Sequence, residues 1–189
     1  FLYGRQGQWQ AAASDLSQVA ANGPAFTLGP LLVETSDTPG YLKFRRRFGT
    51  EFAMTEDPLS AAETALVLLL QPADTFLSTA NDLVDLALSR GTNRARMPYF
   101  QLVKALAEYR QRQFTNASDW ARKSQVGSAT NYTTAVSAGA VLAMAQFQLK
   151  DPDAARQTVV QTAELSQTKL AKLDSGDLGE NWPEWLIAR

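Results

Sequence analysis

The residue types that most often do enzyme chemistry are sparse in this chain. Histidine and cysteine are both absent from its 189 residues. That removes the commonest general base, the imidazole of serine and cysteine triads, the thiolate nucleophile and the usual zinc ligands. Two carboxylates, Asp82 and Asp85, stand three residues apart, which would put both on one helical face, as paired-carboxyl acid–base work requires. No flanking pattern singles them out, and a solvated face is by far the better account of them. Kinase chemistry needs a glycine-rich phosphate loop, a strand lysine, a catalytic-loop aspartate and an Asp-Phe-Gly metal site, and the sequence carries none of these. We therefore expect no catalytic residue, no cofactor and no metal ligand in this segment.

Charge could instead recognise a partner. Arg45-Arg46-Arg47 with nearby Lys43 is the densest basic run, a candidate patch for an anion or an acidic partner. The competing reading is a solvated face whose arginine stems cover apolar neighbours. Arg90, Arg94 and Arg96 form a second cluster with the same ambiguity. A formal charge of −1 and a pI near 5.5 give no general attraction for nucleic acid or anionic lipid, so neither is expected as a partner. The longest apolar stretch, Ala65 to Leu70, is far shorter than the ~18 residues of a membrane span. No signal peptide opens the chain, and the lack of cysteine suits a reducing compartment, so we expect a cytoplasmic protein. In that compartment the sequons Asn116-Ala117-Ser118 and Asn131-Tyr132-Thr133 go unused.

The elements that would position these groups read as helices throughout. A triplet at i, i+4 and i+7 recurs at intervals of 29 to 39 residues: Ala12/Leu16/Val19, Tyr41/Arg45/Phe48, Ala80/Val84/Ala87, Ala117/Ala121/Ser124 and Ala155/Val159/Thr162. Such recurrence specifies stacked helical hairpins with a period of about 34 residues. Asn22-Gly23-Pro24 stops the first pair, and turns are expected at Gln6-Gly7-Gln8, Ser36 to Pro39, Gln71-Pro72-Ala73-Asp74, Gln111 to Gln113 and Lys150 to Pro152. Pro39, Pro58, Pro98, Pro152 and Pro183 fall where the periodicity begins a helix, the position at which a missing N–H loses no bond. Alternating strand patterns are nearly absent.

Gly7-Gln8-Trp9-Gln10-Ala11-Ala12, Leu28-Gly29, the run Ala105 to Phe114 and Leu142-Ala143-Met144-Ala145 resemble the tetratricopeptide repeat (TPR). Phe100 to Trp120 and the ending Gly176-Asp177-Leu178-Gly179-Glu180-Asn181-Trp182-Pro183-Glu184-Trp185-Leu186-Ile187-Ala188-Arg189 resemble repeat-rich C-terminal regions of bacterial, planctomycete-type serine/threonine kinases and WD-repeat proteins. Departures are Arg45 at a usually apolar position, Pro72 in a turn and Glu108 in place of a common tyrosine. The resemblance implies an all-α fold, a TPR-like right-handed superhelical array of antiparallel helix pairs over residues 1–173. About five units are expected, the first one truncated, followed by a linker and the start of a C-terminal capping helix over 174–189. Because the chain opens at Phe1 partway through a helix pattern, we expect a segment of a larger signalling protein, with any kinase domain elsewhere.

The function implied is a non-catalytic protein–protein interaction scaffold. Its concave face, lined by Tyr99, Val103, Leu106 and Arg110, would hold a peptide, a partner helix or the rest of the same polypeptide. A ligand-sensing regulatory domain of a linked kinase and a structural or oligomerisation spacer are the alternatives. Trp9 and Trp120 read as core, and Trp182 and Trp185 as a cap for the array's exposed end.

Overall fold

The computed structural model describes residues 2–19, 25–72 and 75–189, which contain eleven α-helices and no strand. In order these are α1 Leu2–Arg5, α2 Trp9–Val19, α3 Ala25–Glu34, α4 Thr38–Glu51, α5 Pro58–Leu69 and α6 Leu77–Arg90. They continue as α7 Met97–Arg110, α8 Phe114–Gly127, α9 Tyr132–Gln148, α10 Pro152–Lys169 and α11 Trp182–Ala188. The stop at Asn22-Gly23-Pro24 and the Ala73-Asp74 half of one turn lie outside the described residues. All five helix-starting prolines sit in a first turn. Asp37, Asp57, Asn131 and Asp151 cap their helices by accepting from the backbone N–H three residues on, at 2.8–3.1 Å.

Four of the hairpins share one turn. Gly7, Ser36, Arg112 and Lys150 are left-handed, with φ of 70°, 58°, 62° and 65°. The next residue in each case donates its N–H to a carbonyl five residues back: Gln8 to Tyr3, Asp37 to Leu32, Gln113 to Glu108 and Asp151 to Gln146, at 2.9–3.0 Å. This is the Schellman closure, which satisfies the last carbonyls of one helix and fixes the angle at which the next departs. Three of the four left-handed positions carry exposed side chains, so the closure forms there without glycine.

Burial separates two kinds of helix. Nine of fourteen residues are buried in α7 and eleven of seventeen in α9, against four of fourteen in both α6 and α8 and two of eighteen in α10. The first kind is sandwiched: α7 packs on α5, α6, α8 and α9, and α9 on α7, α8, α10 and α11. The second kind buries one stripe, the recurring triplet. Tyr41, Arg45 and Phe48, then Ala80, Val84 and Ala87, then Ala117, Ala121 and Ser124 are all buried. Small residues on that stripe allow close approach; at the α9–α10 crossing, a Cβ on Gly139 would overlap the Thr162 hydroxyl.

One apolar cluster runs through α5 to α9. A second joins α2, α3 and α4 to the C-terminal segment, with Trp9 against Trp182 and Trp185 at centroid distances of 6.1 and 6.0 Å. The expected C-terminal capping helix is α11, and it packs on α1 and α3 as well as on α9 of the last hairpin. The polar stretch after α10 is long enough for this return, and the two tryptophans find their apolar partner in Trp9.

Candidate functional site

The residues expected to line a peptide face are placed by α7, and most are used inside the fold. Val103 is fully buried and Leu106 is 8% exposed, both in the larger core, so neither offers surface to a peptide. Arg110 donates from Nε to the Leu69 carbonyl and from Nη2 to the Leu70 carbonyl, both at 2.9 Å. Tyr41 donates its hydroxyl to the Val67 carbonyl at 2.6 Å, and Arg45 reaches the Gln71 carbonyl at 3.4 Å. The C-terminal carbonyls of α5, which have no intrahelical partner, are thus met by two guanidinium groups and a phenol. Arg110 of the expected groove and Arg45 of the expected basic patch therefore meet at one helix end.

Arg45 is 6% exposed, with its guanidinium 5.4 Å from the Tyr41 ring centroid and its Nε without a hydrogen bond. Lys43 and Arg46 stay exposed, and Arg47 is exposed beside Glu51 at 3.5 Å. The run splits because four-residue periodicity turns only Arg45 inward. Asp85, half of the carboxylate pair, binds Lys104 at 2.7 Å, and Lys104 also contacts Glu108 at 3.1 Å. Lys104 is the one cation of a mostly buried polar knot that includes Asn81. Burial disfavours its charge, but the bonds it donates to Asp85 and Glu108 outweigh that and raise its pKa.

Tyr99 sits in the first turn of α7. Its hydroxyl is buried without a hydrogen-bond partner, and Glu63 of α5 and Glu184 of α11 stand close enough to disfavour its ionisation further. Burial, then repulsion from Glu184, pushes the Glu63 carboxyl up to about 7, with Arg96 opposing. Glu184 is raised by burial as well. Around this junction α11 is held by the bond from the Leu178 N–H to the Arg5 carbonyl at 2.8 Å, the Arg5–Asp177 ion pair, and Arg189 to Glu34 at 3.1 Å. The Trp185 indole donates to the Ala171 carbonyl at 2.7 Å. A Cβ on Gly4 would overlap the Trp182 ring, so that contact requires glycine.

The open surface lies at the other end of the array. A hollow of about 550 Å³ is lined by Tyr109 of α7, Met144 and Phe147 of α9, and Pro152, Ala155 and Val159 of α10. Phe147 is 61% exposed, Val159 55% and Val160 62%. Val159 is the middle member of the fifth triplet, whose counterparts Leu16, Arg45, Val84 and Ala121 are all buried. Periodicity marks position 159 as apolar but carries no sign of whether a helix lies over it. A second hollow of about 560 Å³, at Arg94, Met97, Arg122, Lys123 and Val126, carries three cations on its rim.

Among the described residues no three of Asp, Glu, His or Cys converge to hold a metal, and no helix is long and apolar enough to cross a membrane. Comparison with protein families, curated proteins and solved structures finds no match.

Proposed function

We propose that this chain is a non-catalytic protein–protein interaction module, a TPR-like right-handed superhelix within a larger cytoplasmic, bacterial signalling protein such as a serine/threonine kinase. The shared turns and the next-but-one packing of α3 on α5, α5 on α7 and α7 on α9 support a repeating array. The observation that carries the interaction role is the bare apolar face of α9 and α10. Exposed Met144, Phe147 and Val159 around one hollow, with exposed Val160 next along α10, are what a docking surface needs and a lone soluble domain avoids. Val103, Leu106 and Arg110 of the expected groove are used inside the fold, and this favours the α9–α10 hairpin as the working surface.

The test places a photo-crosslinking residue at Phe147 in the protein expressed in cells. We expect a discrete protein adduct that V159E abolishes, and none from the same probe at Met54, which is 90% exposed but lies away from the hairpin. No adduct at Phe147 would overturn the proposal.

A further inference from the structure

We infer that the α9–α10 face is a two-fold interface between two copies of this chain, with α10 packed antiparallel against its counterpart about Val160. This inference rests on the interaction-module proposal and names its partner.

Three observations carry it. The first is that the two ends of the array are unequal. At the N-terminal end Trp9 packs against Trp182 and Trp185 of α11, and these three bury their rings in the smaller core with Leu16, Leu28 and Leu31. A second copy that seats its own open end on this one makes an isologous contact. The second is the apolar content. Val160, Val159 and Ala163 are exposed along α10, and Phe147 and Met144 of α9 line one hollow with Val159.

The third is charge. Arg156, Val160 and Glu164 follow one another at four-residue spacing and so share a stripe of α10. All three are exposed, the Arg156 side chain by 72%. In an antiparallel pairing centred on Val160, the valine meets its own counterpart. Arg156 of each copy then falls opposite Glu164 of the other, twice by symmetry. Arg156 now pairs only with Asp153, three residues back on its own helix at 2.8 Å. A parallel pairing in the same register would set arginine against arginine and glutamate against glutamate. The stripe is therefore complementary to itself in one orientation alone.

The experiment is mass measurement by light scattering or sedimentation across a concentration series, with circular dichroism to verify that each variant stays helical. Wild type should run at twice the chain mass of 20.7 kDa, and V160E at 20.7 kDa. R156E alone and E164R alone should each weaken self-association roughly tenfold or more, since each replaces two attractions by two repulsions. R156E/E164R should restore the dimer, because the swapped charges again face opposites. A wild type that is monomeric at every concentration overturns the inference. If its Phe147 probe still captures another protein, the interaction-module proposal survives. A dimer untouched by V160E refutes the location, and failure of the double variant to recover refutes the antiparallel register.

Discussion

Glu63 should make this protein less stable as pH rises from 5 to 8, the reverse of a carboxylate held by a cation. Its carboxyl is raised from the ordinary 4.5 to about 7, burial being the main cause and Glu184 the next. The folded state then keeps a proton that the unfolded state releases. The stabilising proton is fully present below pH 4.5, and its contribution falls away between 4.5 and 7 as the unfolded chain deprotonates first. Above 7 the folded state must carry the anion against Glu184 and beside Tyr99, with only Arg96 in opposition. A gap of about 2.5 at 1.36 kcal/mol per unit sets an upper bound of about 3.4 kcal/mol. The carboxyl is partly open to water, and screening reduces the expected effect to about 2 kcal/mol.

E63Q keeps the shape and removes the proton, so it should raise stability at pH 8 by about 2 kcal/mol, or about 4 to 8 °C in Tm for a chain of this size. At pH 4.5 it should change little. Urea unfolding followed by tryptophan fluorescence at several pH values reads both, because Trp182 and Trp185 sit on α11. With neither histidine nor cysteine in the chain, the side chains that ordinarily titrate through that window are absent, and Glu184 is the other raised carboxyl there. A wild-type minus E63Q difference that stays flat from pH 5 to 8, or that favours wild type as pH rises, would refute the burial assigned to Glu63.

G4A should cost about 1 to 3 kcal/mol by driving a methyl group into the Trp182 ring, and should open the 172–181 segment to limited proteolysis; unchanged resistance would exclude that contact. K104M should cost about 3 kcal/mol because Glu108, its side chain 11% exposed, loses its cation, and K104M/E108L should recover most of the loss in urea unfolding. R45M should leave stability within about 1 kcal/mol of wild type or raise it, since its guanidinium is buried with Nε unsatisfied. A loss of more than about 2 kcal/mol would instead make the Gln71 carbonyl contact essential.

Helix boundaries were legible because each rests on local chemistry. An aspartate or asparagine cap, a first-turn proline and a four-residue stripe act within one or two turns, so Asp57-Pro58 or Asp151-Pro152 specifies a helix start whatever surrounds it. The same locality explains the correct inward placement of Tyr41, Ala80 and Ala117.

What lies over a helix is not local, and there the sequence fell short. Val84 and Val159 occupy equivalent places in their triplets, yet one is buried and the other 55% exposed, because only tertiary packing determines which helix face is covered. Arg110 reads as a groove residue until α5 brings its carbonyl ends within 2.9 Å. Glu63 carries no local mark of its raised carboxyl, which depends on burial and on Glu184 of α11, more than a hundred residues away. The sequence by itself determined the helices and their buried stripes, through interactions between residues a few positions apart. The tertiary structure alone decided which end is sealed, which is bare and where two carboxylates meet. Those outcomes depend on contacts between segments far apart in the chain, and no short-range pattern encodes them.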